Sequence, residues 1–122
     1  MKLCLIVDDS SVVRKGARTL LNSIGYQVIE AENGQQAIDK CADRMPDAIL
    51  LDWDMADMSG FDFLVQFKMR FAGATPHIVY ATTENDPIDI ARAIKAGADD
   101  FMIVPFNRAD IEAKFPHGAL AA

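Results

Sequence analysis

Cysteine is scarce in this chain: two residues in 122, Cys4 and Cys41. They stand far apart, with no CxxC spacing and no histidine pair nearby, which argues against a zinc site or a disulfide framework. Cys4 falls inside an apolar run and reads as a small buried hydrophobe. Long hydrophobic runs are missing as well. No stretch approaches the ~20 apolar residues that span a bilayer. Met1–Val7 is apolar but too short for a signal peptide, and Asp8 and Asp9 follow at once. The expectation is a cytoplasmic protein with no membrane partner. Basic excess is absent too, since 12 Lys and Arg face 18 Asp and Glu for a net charge of -6. With no basic stripe to release counterions, nucleic acid is not an expected partner. Linkers, internal repeats and low-complexity segments are also lacking.

What is present is an ordinary globular composition, 51% hydrophobic and 25% charged. It predicts one domain over residues 1–122, with a core from about 3 to 115 and a tail at 116–122. The Ala-rich end, Gly118–Ala122, is expected to fray. Short apolar runs at Leu3–Val7, Val28–Ala31, Ala48–Leu51, Ile78–Ala81 and Phe101–Val104 predict strands, several of them without polar alternation and hence covered on both faces.

Between them lie segments of helical period. Val13, Ala17, Leu20, Leu21 and Ile24 form one stripe that Gly25 ends. A second helix is predicted from about Gly34 to Arg44, with Asn33 as N-cap and Ala37, Ile38 and Cys41 inward. A third begins near Gly60 with Phe63, Leu64 and Phe67 buried, and a fourth runs from about Pro87 to Ala96 before Gly97. The last, from about Arg108 to Phe115, is short, offers Ala109, Ile111 and Phe115 for packing, and is cut off by Pro116. Such alternation implies an α/β fold: a doubly wound, five-stranded parallel sheet of flavodoxin-like (βα)5 type, strand order 2-1-3-4-5.

In such sheets, sites form beyond the carboxyl ends of the strands. The first strand ends in Asp8-Asp9, the third in Asp52-Trp53-Asp54 and the fourth in Thr82-Thr83-Glu84. Carboxylates brought together there repel one another, so the arrangement asks for a hard divalent cation held through oxygen, and Mg²⁺ suits few carboxylates plus a phosphate. Asp-Asp and Asp-x-Asp pairs are more often helix caps, but their position at strand ends favours the metal reading. A carboxylate beside such a cation can act as a nucleophile and form an acyl phosphate. Asp52, ending the most apolar run, fits that role. Thr82 is either a turn residue or cap, or a hydroxyl donor to a phosphoryl oxygen, and its place opposite Asp52 favours the latter.

With these residues in place, the sequence resembles the receiver domains of bacterial two-component response regulators, in particular single-domain regulators of the chemotaxis type. The resemblance runs from Leu3 to about Phe115. It is carried by Val7-Asp8-Asp9-Ser10, Leu50-Leu51-Asp52, Ser59-Gly60, Ala81-Thr82-Thr83-Glu84, Ala96-Gly97-Ala98 and Pro105-Phe106. It implies a signalling switch rather than an enzyme. Asp52 accepts a phosphoryl group from a histidine kinase or histidine phosphotransfer protein, and partner binding changes in response. Asp8, Asp9 and Asp52 hold Mg²⁺, with the backbone carbonyl of Asp54 completing the protein's share. Thr82, with Thr83 beside it, moves toward the phosphate, and Phe101 stands at the switch aromatic, a position equally open to plain core packing. Partners dock on the surface of the fourth helix, fifth strand and fifth helix, and the short last helix departs from that geometry.

Three further departures stand out. Val104 occupies the position where the family has lysine, which removes one charge-assisted contact to the phosphoryl oxygens, of about 1.5–3 kcal/mol, and weakens the coupling to the switch. Pro105 follows it, and the resemblance makes Val104–Pro105 a candidate cis peptide. Ala56 replaces the proline usual after Met55, which predicts a looser loop, and Asp54 adds a negative charge. Two other classes compete: a pseudo-receiver that binds partners without phosphorylation, favoured by Val104, and a haloacid-dehalogenase-type phosphatase, suggested by Asp52-Trp53-Asp54. In the phosphatases, however, the pair follows the first strand. Flavin binding is disfavoured because the acidic pocket repels a flavin phosphate and no phosphate loop follows Val7.

Overall fold

The computed structural model describes residues 1–83 and 86–116. The expected frayed end, Gly118–Ala122, and Glu84 lie outside these residues. Each predicted apolar run forms a strand: β1 (Lys2–Val7), β2 (Tyr26–Ala31), β3 (Ala48–Asp52), β4 (His77–Thr82) and β5 (Asp100–Ile103). All pair in parallel in the order β2-β1-β3-β4-β5. The helices α1 (Ser11–Ser23), α2 (Gly34–Asp43), α3 (Gly60–Arg70), α4 (Pro87–Ala96) and α5 (Arg108–Lys114) alternate with them. β5 stops one residue short of its expected end. Val104 has left the strand, although its N–H still donates to the Thr82 carbonyl at 2.8 Å, and the Val104–Pro105 peptide after it is cis.

Strand alternation divides the core between the two faces of the sheet. Leu5, Val7, Ile49, Leu51, Ile78 and Tyr80 pack against α2, α3 and α4. Their neighbours Cys4, Ile6, Leu50, Val79 and Ala81 pack on the other face with Ala17 and Leu21 of α1 and Ile111 of α5. Both cysteines are buried free thiols. Local signals set the helix ends: Ser10, Asn33, Ser59, Asp86 and Asn107 each accept a hydrogen bond from a backbone N–H of the following turn. Gly25 and Gly97 follow α1 and α4 with φ of 98° and 127°, values that disfavour any residue with a Cβ.

The last helix departs from expectation at one position. Ile111 and Phe115 are buried, but Ala109 is exposed on the outer face. Seven residues suffice because the end of α5 is tied down by polar links as well. The His77 Nε2–H donates to the Lys114 carbonyl at 2.7 Å, and the Tyr26 hydroxyl donates to the Pro116 carbonyl.

Candidate functional site

Parallel register places the acids. Val7 pairs with Leu51, so Asp8 and Asp52 leave adjacent strands at the same level, and Asp52 in turn pairs with Ala81, one residue before Thr82. The carboxylate oxygens of Asp8, Asp9 and Asp52 come within 4.8 Å of one another. Asp8 is 9% exposed, Asp52 half-buried and Asp9 exposed. Asp54 is also exposed and its carboxylate stands outside this group, while its backbone forms an isolated antiparallel bridge with Ser59.

Electrostatics single out Asp52. Burial first, then the charges of Asp8 and Asp9, push its carboxyl up to about 7, against the opposing backbone N–H groups of Trp53 and Asp54. Among the described residues no side-chain cation opposes this shift. Asp8 is raised by burial and by Asp9, against the Ser10 N–H at 2.9 Å and the charge of Arg14. The guanidinium of Arg14 is engaged elsewhere, with the Asp8 carbonyl at 2.7 Å and Glu30 at 2.9 Å. Three carboxylates at this spacing, with one retaining its proton near neutrality, form a donor set that suits a hard, oxygen-seeking divalent cation. The residues present fit Mg²⁺.

The other sequence candidates differ in their surroundings. Thr82 is buried at 3% exposure, and Thr83 is exposed. Phe101 is half-buried against the α2–α3–α4 core, with the Lys114 ammonium 5.3 Å from its ring centroid. Val104 packs against the opposite core face beside Leu20 and Phe106, so its position carries apolar contact and no charge. The loop from Asp54 to Ser59 was expected to loosen without proline, yet several contacts hold it. Met55 is buried, Met58 fills the space a Cβ on Gly34 would need, and Asp57 accepts from the N–H groups of Gly34 and Gln35, both at 2.9 Å.

Burial pushes Asp57 up, but the N–H groups of Gly34, Gln35, Asp57 and Met58 outweigh it and hold the carboxyl below its usual range. Its stabilising effect is therefore present at neutral pH and lost as pH falls through that lowered value. Asp57→Ala should cost about 1 kcal/mol of unfolding free energy at pH 7, as loss of a helix cap does. The cost should shrink in acid, which urea unfolding at two pH values will show.

Sequence reasoning also missed a cleft beside Asp52, lined by Trp53, Thr82, Asp86, Ile88, Asp89 and Arg92. Trp53 was legible as the neighbour of Asp52. Asp89 and Arg92 were not, because nothing local distinguishes a charge facing a cleft from one facing solvent. A larger, mostly apolar hollow between α3 and the start of β5 lies among strand beginnings, at the opposite edge of the sheet from the acids.

Residues 4–115 match the family described as the response regulator receiver domain. This chain belongs to that family. It is 34% identical over 113 residues to the phosphate regulon transcriptional regulatory protein PhoB of Pseudomonas aeruginosa, covering 93% of this chain and 49% of that protein. It is 34% identical over 109 residues to the chemotaxis protein CheY1 of Helicobacter pylori, covering 88% of this chain and 87% of the relative. The chain thus spans about half the length of the transcriptional regulators it matches and most of the chemotaxis protein. Among solved structures, chemotaxis protein CheY4 of Vibrio cholerae superposes with a TM-score of 0.84 at 31% identity, over 91% of this receiver and 92% of that chain. The receiver is thus a two-component signalling domain with an Asp cluster at the edge where the family binds Mg²⁺. Among its described residues no helix is long and apolar enough to cross a membrane.

Proposed function

We propose that this receiver is a phosphorylation-controlled switch whose phosphoacceptor is Asp52. The observation that carries the reading is the convergence of Asp8, Asp9 and Asp52 within 4.8 Å, with Asp52 half-buried and its carboxyl pushed up to about 7. Asp8, Asp9 and Asp52, with the backbone carbonyl of Asp54, would hold Mg²⁺. Bound there, the ion supplies positive charge that lets an ionised carboxylate and a phosphoryl group share one pocket. Asp52 Oδ attacks the phosphorus of a phosphohistidine on a kinase or phosphotransfer protein. The new O–P bond forms as the donor's P–N bond breaks, and the electron pair leaves on the imidazole nitrogen, which takes up a proton.

The Thr82 hydroxyl is placed one register step beyond Asp52 on the neighbouring strand, which supports a hydrogen bond from it to a phosphoryl oxygen. Thr83 and Phe101 stand beside and beyond it as the further switch positions. The output is a change in binding to a downstream protein. Chain chemistry supports a signalling domain whose only catalysis is that of its own phosphorylation and dephosphorylation.

Val104 favours a second reading, a pseudo-receiver that binds partners without phosphorylation. Incubation with acetyl phosphate, with and without Mg²⁺, followed by intact mass, separates the two. The switch requires a Mg²⁺-dependent gain of one phosphoryl group that Asp52→Asn abolishes. Detectable Mg²⁺ binding with no mass gain under any condition would establish the pseudo-receiver instead.

A further inference from the structure

Apolar burial holds α4 only lightly. Ile90 and Ala93 are its buried residues, whereas Ile88 is 74% and Ile94 41% exposed. Two polar contacts supplement them. The hydroxyl of Tyr80 on β4 donates to Asp89 Oδ2 in the first turn of α4 at 3.0 Å. One turn further along, the guanidinium of Arg92 lies 4.3 Å from the ring centroid of Phe61 on α3.

The two ends of the hydrogen bond differ in how firmly they are placed. Tyr80 is 1% exposed, and its ring abuts Gly60 so closely that a Cβ there would lie 2.7 Å from the ring and 2.5 Å from the Asp52 carbonyl oxygen. Tyr80 is therefore wedged against Gly60, on the side that faces the Asp52 carbonyl. Asp89, half-buried, sits on the helix that follows Thr82 after four intervening residues, and Tyr80 precedes Thr82 by two on the same strand face. A displacement of Thr82 toward Asp52 would pull on the start of α4, with Tyr80 held in place against Gly60.

We propose that Tyr80 and Asp89 are positioning residues of the switch: their hydrogen bond latches the first turn of α4 to β4 in the unphosphorylated state and must open when Thr82 moves. This rests on the phospho-switch reading above. Because coupling between sites is reciprocal, removing the latch makes the phosphorylated arrangement easier to reach and tightens binding of an acyl-phosphate mimic. The capping residue Asp86 bonds the N–H groups of Ile88 and Asp89 through its own side chain, so α4 keeps its cap when the Asp89 carboxylate is removed.

The test uses the full chain, with beryllofluoride and Mg²⁺ as the mimic. Binding is followed by the fluorescence of Trp53, the single tryptophan, which lines the same cleft. Tyr80→Phe, which keeps the ring against Gly60, and Asp89→Ala should each bind beryllofluoride about tenfold more tightly than the wild type. Asp89→Asn, which retains an acceptor oxygen, should stay near wild type. Amide hydrogen exchange across Pro87–Ala93 should accelerate in Tyr80→Phe, with β1 unchanged.

Unchanged or weaker binding in both Tyr80→Phe and Asp89→Ala would overturn the latch. Failure of the wild type to bind the mimic at all would count against the switch reading itself. Exchange in the metal-free Tyr80→Phe variant would then decide the latch: acceleration in α4 supports it, and an unchanged rate overturns it.

Discussion

Mg²⁺ affinity should fall as pH drops below 7, approaching about tenfold per unit, so that roughly fiftyfold separates pH 7 from pH 5. The reason is the state of Asp52, whose carboxyl is held up to about 7 by burial and by the charges of Asp8 and Asp9. A cation has to displace that proton, and below pH 7 the displacement costs about 1.4 kcal/mol per unit. Titration calorimetry at several pH values between 5 and 8 measures the slope directly. A flat profile across that range would reject the assignment of Asp52 to the metal.

The same shift has a consequence for the metal-free fold. Asp52 ionises near 3.8 when unfolded and near 7 when folded, so between these values the folded state binds the extra proton. Its contribution to stability therefore declines as pH rises from about 4 to 7 and stays low above. Asp52→Asn removes the ionisable group. In chelator at pH 8, the variant should be more stable than the wild type by roughly 2 kcal/mol, a figure reduced for solvent screening at a half-buried group. The advantage should fade toward pH 4. Thermal unfolding of both proteins at pH 4, 6 and 8 follows it.

Val104→Lys should raise affinity for beryllofluoride about 10- to 100-fold, the equivalent of one charge-assisted hydrogen bond of about 1.5–3 kcal/mol. Val104 lies just beyond β5, linked through its N–H to the Thr82 carbonyl and packed, like Leu20 and Phe106, against the core face that holds Ala17 and Ile111. A lysine there would lay its aliphatic stem on the same apolar surface and keep its ammonium in solvent, free to pair with a phosphoryl group on Asp52. The added cation also favours the ionised form of Asp52, so its metal-free titration should move down from about 7. Carbon-detected NMR of the Asp52 carboxyl reads the titration, and Trp53 fluorescence reads the affinity. If neither moves, the position makes no contact with the phosphoryl group, and Val104 has no bearing on how the switch is coupled.

Much of the architecture was legible locally. The apolar runs predicted all the strands to within two residues at either end, because strands buried on both faces tolerate few polar residues. Asn33, Pro87 and Gly97 marked helix ends because capping and a positive φ are requirements of single positions. Asp8, Asp9, Asp52 and Thr82 were identifiable as polar residues ending apolar runs. Other features were illegible for a definite reason. The Asp57 bond to the start of α2 joins residues 23 apart, and the Tyr80–Asp89 bond joins the interior of a strand to a helix face. Neither leaves a periodic trace. Ala109 was misread because alanine suits a buried or an exposed helix position equally well.

By itself, then, the sequence determined the strands to within two residues, the order of strands and helices along the chain, and the chemistry available at one edge of a parallel sheet. Hydrophobic period and capping are properties of neighbours in the chain, so they can be read without the fold. The tertiary structure alone decided that Val7 pairs with Leu51, which sets Asp8 level with Asp52 and raises the Asp52 carboxyl. It also decided that Asp54 stays outside the cluster and that Tyr80 reaches Asp89. Proximity, burial and charge repulsion depend on distances between segments remote in the chain, and strand register and helix packing set those distances only once the whole sheet has formed.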